Sequence, residues 1–272
     1  MSSLDYLMIF AGMALALSFG MAVAWLIWRK SGNSGWVDTI WTFSVGITGV
    51  SATFLIHSTG VGPRQILIAM LVAAWTLRLG LHIALRTRAI SDDPRYAKLV
   101  REWGADAKAR MFWLLQKQAW VSIPLVMAIA IAAGNPAPGL RLQDWLGAAI
   151  LLVAIVGEAA ADYQLRLFRS QNPARDAVCD TGLWAWSRHP NYFFQWLGWL
   201  AYPVIAIDVD GDYPWAWFAL IAPFCMYWLL AYVSGIPPLE EHMLATRGNR
   251  YRAYVSRTSA FFPFPPRRGS MP

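Results

Sequence analysis

The sequence predicts an all-α, polytopic integral membrane protein of seven transmembrane helices, with its N-terminus outside and its C-terminus in the cytoplasm. Three observations predict it. The 272 residues are 57% hydrophobic and only 14% charged, where a soluble domain carries roughly a quarter charged residues, and the mean hydropathy is +0.38. Several apolar runs reach the ~20 residues that an α-helix needs to cross a bilayer. With seven spans, nineteen of the 23 Lys and Arg residues fall in alternate connections and the C-terminal tail, leaving Arg64 and Arg141 on the opposite side and Arg78 and Lys117 within spans. Such an excess marks cytoplasmic loops.

The first span, about 5–28, is one apolar run with Arg29 and Lys30 behind it. It is too long for a secretory signal, whose charge comes first. The second, about 36–57, opens on Trp36 and holds Asp38 near its start. The third, about 64–85, contains Arg78 and His82 and ends at Arg86 and Arg88. Arg95, Lys98, Arg101, Lys108 and Arg110 then lead into the fourth, about 112–133, which holds Lys117. Arg141 precedes the fifth, about 143–168, which carries Glu158, Asp162 and Arg166.

Arg169, Arg175 and Arg188 follow before the sixth span, about 190–207. That span opens on Pro190, a residue suited to a first helical position because its missing N–H would be unpaired there anyway. The acidic patch Asp208, Asp210 and Asp212 separates it from the seventh, about 214–234, which stops at Gly235 and Pro237-Pro238. The tail adds Arg247, Arg250, Arg252, Arg257, Arg267 and Arg268. Pro124, Pro203 and Pro223 lie inside spans, where neighbours can re-satisfy the freed carbonyl. Trp25, Trp28, Trp36, Trp113, Trp184, Trp186, Trp215 and Trp217 sit near span ends, as interface anchors do.

Two cysteines, Cys179 and Cys225, offer neither a disulfide framework nor a metal cluster. The net charge of +7 belongs to cytoplasmic loops and does not imply nucleic acid. No internal repeat supports a transporter built from inverted halves.

Ionisable groups inside a membrane are costly and mark function by default. Glu158, Asp162, Arg166 and Arg169 recur at helical spacing, so "EAAADYQLRLFR" forms one polar stripe running toward the cytoplasmic mouth. The stripe either pairs internally and snorkels or faces a cavity, and the depth of Glu158 favours the cavity. At "SRHPNY", Arg188 and His189 stand beside the N-terminus of the sixth span, where free N–H groups and the helix dipole favour an anion. A cofactor phosphate or carboxylate, or an anionic lipid, would satisfy it. After "SGIPPLEEHM", Tyr251 and Tyr254 share a face near Arg247 and Arg250. That face either folds over the loop and stacks a base or lies in the membrane interface.

"GLWAWSRHPNYFFQWLGW", "SGIPPLEEHM" and "YRAYVSRTSAFFPFPP" resemble the DUF1295 group of membrane proteins over about residues 155–266. That group is similar to the steroid 5-alpha-reductases and, more distantly, to the sterol C14-reductases and isoprenylcysteine carboxyl methyltransferases. The resemblance implies a single seven-helix domain over 1–272, with substrate-side helices in about 1–135 and a cofactor side in about 143–266. NADPH is the implied cofactor. Asp162 and Arg169 match cofactor-contacting positions, Asn191 matches the reductase Asn at the start of the sixth span, and Trp199 matches a Trp lining the site. Gln195 stands where the reductases have Glu, while Glu240, Tyr251 and Tyr254 match the tail loosely. The reductases' Gln-Glu pair on the second span is replaced by Asp38 and Thr39, and their Tyr on the third by Trp75.

The expected function is therefore NADPH-dependent reduction of an activated C=C bond in a lipid-soluble, steroid-like enone. Glu158, Asp162, Arg166, Arg169, Arg188, His189, Asn191, Tyr192, Gln195, Trp199, Glu240, Tyr251 and Tyr254 are the candidate cofactor residues. Asp38 is either a neutral acid hydrogen-bonding the substrate carbonyl or a structural anion paired with Arg78 or Arg86. The alternative is an S-adenosylmethionine-dependent methyltransferase acting on a lipid or prenylated substrate. Membrane lipids are the expected surroundings, in a bacterial inner membrane with the active-site mouth facing the cytoplasm.

Overall fold

The computed structural model describes residues 3–55, 61–172, 174, 176–208 and 211–267. Ile56 and His57 of the expected second span lie outside these residues, as do Arg175, Asp210 and Arg268. The described chain is helical. Its helices are α1 (Ser3–Ser31), α2 (Trp36–Leu55), α3 (Pro63–Arg88), α4 (Pro94–Trp103), α5 (Ala107–Ala133) and α6 (Leu142–Gln171), followed by α7 (Leu183–Trp186), α8 (Pro190–Trp199), α9 (Ala201–Ala206), α10 (Ile221–Trp228) and α11 (Ile236–Arg257). A 3-10 turn over Pro214–Leu220 leads into α10, and a π-turn over Leu229–Val233 follows it.

Five described helical stretches are long and apolar enough to cross a membrane: Leu7–Ser31, Pro63–Arg88, Pro94–Ala133, Leu142–Gln171 and Pro214–Arg257. Two expected spans fall outside this set for identifiable reasons. Helix α2 is 20 residues long, but Asp38, Thr39, Thr42, Thr48 and Thr53 dilute its apolar character. The sixth expected span is divided at Leu200 into α8 and α9. Pro203 explains the division: it donates no N–H, and its ring collides with the carbonyl of the residue four positions back.

The chain falls into two compact units. The first comprises Met1–Ala149 and Leu200–Ala222. Within it α2 packs on α1, α3 and α5, and small residues allow the close approach typical of membrane helices. A Cβ added at Gly46 would lie 2.0 Å from Thr76 Oγ1, and one at Gly80 would lie 2.7 Å from Phe43 Cε2.

One end of this unit is closed by an ion pair. Arg64 Nε donates to Asp144 Oδ1 at 2.8 Å, and Nη2 donates to Oδ2 at 3.0 Å. The remaining donors reach the carbonyls of Asn135 and Ala137, each at 2.8 Å, and of Gly139 at 2.7 Å. Arg141 approaches Asp144 and Asp208, each at 3.7 Å. Arg64 and Arg141 are thus neutralised by carboxylates.

The second unit comprises Ile150–Trp199 and Pro223–Pro272. Its frame is α6 running antiparallel to α7 and α8. Gln164 Oε1 accepts from Leu183 N at 2.9 Å, and Trp184 Nε1 donates to Ala161 O at 3.0 Å. Further along, Gly157 faces the ring of Phe194, and Gly198 faces Leu151 and Ala154. Trp184 is therefore a buried structural residue of this unit. Trp28 is buried too, whereas Trp113, Trp186, Trp215 and Trp217 are exposed.

Candidate functional site

Helix α8 begins at Pro190, as the N1 preference of proline predicts. The turn before it is held by Ser187, whose Oγ accepts from His189 N at 3.1 Å and donates to Phe261 O at 2.8 Å. This sets Asn191 opposite Asp162 of α6, with Nδ2 donating to Oδ1 at 3.4 Å. Because the helices are antiparallel, one turn along α8 corresponds to one turn back along α6. That step brings Gln195 and Glu158 to a common level, buried at 7% and 5% exposure. The Asp162–Asn191 contact is thus one rung of a ladder, with the acid Glu158 and the carboxamide Gln195 buried one turn further along their two helices. Trp199 is buried one further turn along.

Arg166 and Arg169 continue the α6 stripe, and both are exposed. The Arg166 guanidinium lies 5.6 Å from the Tyr163 ring centroid. Tyr192 stacks on His189, with ring centroids 5.4 Å apart and planes inclined by 13°.

The tail closes on the turn before α8. Arg188 Nε donates to Glu240 Oε1 at 2.7 Å and Nη2 to Oε2 at 3.2 Å, a bidentate pair. Its Nη1 meets the carbonyls of Val255 and Thr258. His189 Nε2 lies 3.0 Å from Glu240 Oε1. Glu240 thus contacts both Arg188 and His189, the residues expected to meet a cofactor anion, and acts as an internal anion beside them.

Burial alone would raise the Glu240 carboxyl above its usual range, but hydrogen bonds from His189 and Arg188 outweigh it and hold the group at about 2. Burial lowers His189 below 6.5, opposed by Glu240. At neutral pH His189 is uncharged, and it presents Nε2–H because a carboxylate can only accept.

Tyr251 and Tyr254 are buried at 1% and 2% exposure and meet edge-on, with centroids 5.9 Å apart. Tyr254 Oη donates to the carbonyl of Trp184. Their expected stacking face is thus covered by protein, and the pair pins α11 to the turn. Helix α11 can make this return because it kinks at Gly248, whose φ of 53° belongs to the left-handed side that glycine tolerates.

In the first unit, Asp38 accepts from Arg95, which also donates to Asp93. Tyr96 Oη lies 3.3 Å from Asp38 Oδ1 and accepts from Gln118 Nε2 at 3.0 Å. A carboxylate held by a guanidinium acts as an acceptor, so this geometry supports the structural reading of Asp38, with Arg95 as a cation it pairs with. Tyr96 and Gln118 had no periodic signal. The one local clue was Asp93-Pro94, an N-cap and N1 pair that starts α4, with Asp93 accepting from Arg95 N at 3.0 Å.

Fold and site together define an integral membrane protein of helices whose second unit holds an acid–carboxamide ladder clasped by its own tail. The chain belongs to the family described as "Protein of unknown function (DUF1295)", whose model matches residues 24–258. It is similar to Uncharacterized protein C594.04c of Schizosaccharomyces pombe, 26% identical over 284 residues that cover 92% of this chain and 78% of the relative. No solved structure matches it.

Proposed function

We propose that the protein is a membrane-embedded, NADPH-dependent reductase of an activated C=C bond in a lipid-soluble enone. The supporting observation is the ladder begun by the Asp162–Asn191 hydrogen bond, with Glu158 and Gln195 buried one turn further along the two helices. A nicotinamide carboxamide carries both donors and an acceptor. The ladder offers acceptors from its acids and both kinds of group from its amides, so the residues present fit that end of the cofactor. Arg166 and Arg169, exposed at the end of the α6 stripe, fit the phosphate end.

When bound, NADPH supplies the hydride. The chain's own residues orient the carboxamide, while buried Glu158, Gln195 and Trp199 keep water from it. Glu240 holds the turn from which Asn191 projects.

The reading includes seven crossings, with α2 and the α8–α9 pair completing the five longer stretches, an outside N-terminus and a cytoplasmic site. Reporters inserted at residue 138 and fused at the C-terminus are expected to report the outside and the cytoplasm respectively. The same compartment for both would overturn the topology.

The cofactor reading is tested by titrating detergent-purified protein with NADPH, NADH and S-adenosylmethionine. NADPH is expected to bind. Asn191→Ala, which removes one polar partner, is expected to weaken it by roughly tenfold, the equivalent of about 1.4 kcal/mol.

A second reading, an S-adenosylmethionine-dependent methyltransferase on a lipid or prenylated substrate, is favoured by one observation. Arg188 is committed to Glu240, while the ladder presents two acids suited to a cationic amine. Binding of S-adenosylmethionine without NADPH would select it and reject the reductase.

A further inference from the structure

We infer that one end of the first unit is a docking surface for anionic phospholipid headgroups, built around α4. This end collects the C-termini of α1 and α3, the N-terminus of α5, and α4 between them. Trp25 Nε1 donates to Lys108 O at 2.9 Å, tying α1 to α5. Asn33 Nδ2 donates to the carbonyls of Thr87 at 3.2 Å and Ile90 at 2.9 Å, tying the α1–α2 turn to α3. Since α3 and α5 belong to stretches able to cross a membrane, the connection between them lies at the membrane face.

The exposed charge of this end is mostly positive. Three acids turn inward, where Asp38 and Asp93 take Arg95 and Asp92 accepts from Ser34 N at 2.8 Å, while Glu102 and Asp106 are exposed, Asp106 lying 3.8 Å from Arg110. The cations face outward, with Lys30, Arg88, Lys98, Arg101 and Lys108 all exposed. They are borne on helices, so their spacing is fixed. Trp113 is exposed one and a half turns into α5 from Lys108, where an interface anchor belongs. Basic clusters beside a transmembrane helix attract anionic headgroups. Exposed Lys30, Arg88, Lys98, Arg101 and Lys108 outnumber exposed Glu102 and Asp106, and that excess of positive charge fits an anionic partner better than a cationic one.

The experiment uses the full-length protein in a neutral detergent and measures adducts of short-chain phosphatidylglycerol by native mass spectrometry. Phosphatidylcholine and inorganic phosphate serve as competitors. Phosphatidylglycerol is expected to bind, to resist both competitors, and to weaken as salt rises. At roughly fivefold per surface cation, the variant K98Q/R101Q/K108Q is expected to bind about a hundredfold more weakly. The variant K98R/K108R, which keeps the charges, is expected to bind as the parent does. The inference is overturned if phosphatidylcholine binds equally well or if salt has no effect. Displacement by free phosphate at equal concentration, or undiminished affinity in the glutamine variant, also overturns it. The salt and competition measurements decide the matter should the glutamine variant fail to fold.

Discussion

Arg64→Ala is expected to destabilise the protein by about 3–5 kcal/mol, the usual consequence of removing one partner of a buried ion pair. Arg64 is 4% exposed and Asp144 is fully buried. The substitution removes the bidentate bond to Asp144 and the donors to the carbonyls of Asn135, Ala137 and Gly139. Asp144 keeps Arg141 N at 2.6 Å, with the Arg141 guanidinium at 3.7 Å. A backbone N–H is a partial substitute for a guanidinium fork.

Asp144→Ala is expected to do comparable damage from the other side. Combining the two, Arg64→Ala with Asp144→Ala, is expected to lose clearly less than the two single changes added together, because neither charge is left alone. Thermal unfolding of the four detergent-solubilised proteins checks this. Additive losses would mean that the two residues act independently and that the ion pair does not close this end.

The same pair shows where the sequence was legible and where it was not. Arg64 and Arg141 could be read as the exceptions on a side poor in cations, since a charge count needs no structure. That Asp144 and Asp208 neutralise them required knowing that residues 64 and 144 meet. Local rules succeeded elsewhere: Pro190 starts α8, and Glu158 and Asp162 share a face because four residues nearly complete a turn. They also found both sides of the ladder, although the antiparallel register that aligns its rungs is tertiary. Local rules tolerate Pro203 inside a span, yet the chain divides at Leu200. Tyr251 and Tyr254 had the spacing of an exposed aromatic face, but the kink at Gly248 turns that face inward. Spacing reports which residues share a face and not what covers it.

Glu240 illustrates the last point, and its removal is the second large effect expected. Arg188 and Glu240 are separated by 52 residues, so no helical period links them. Glu240→Ala would leave Arg188, only 9% exposed, without its carboxylate and His189 without the partner at 3.0 Å. The expected loss is about 3 kcal/mol, at the lower end for a buried pair because Glu240 retains some exposure and Arg188 keeps its carbonyl contacts. The pH dependence separates this electrostatic role from simple packing. Folding lowers Glu240 from about 4.5 to about 2, so its contribution is fully present above pH 4.5 and is lost as pH falls toward 2. His189, lowered by burial, adds a loss in the same direction as pH falls below 6.5, because the unfolded chain takes up that proton first. Glu240→Gln keeps the shape and cannot ionise. It is expected to start less stable at pH 7 and to show a flatter decline than the parent between pH 4.5 and 2. Parallel curves through that window would mean that Glu240 holds the tail by packing alone, and that the clasp on α8 does not depend on its charge.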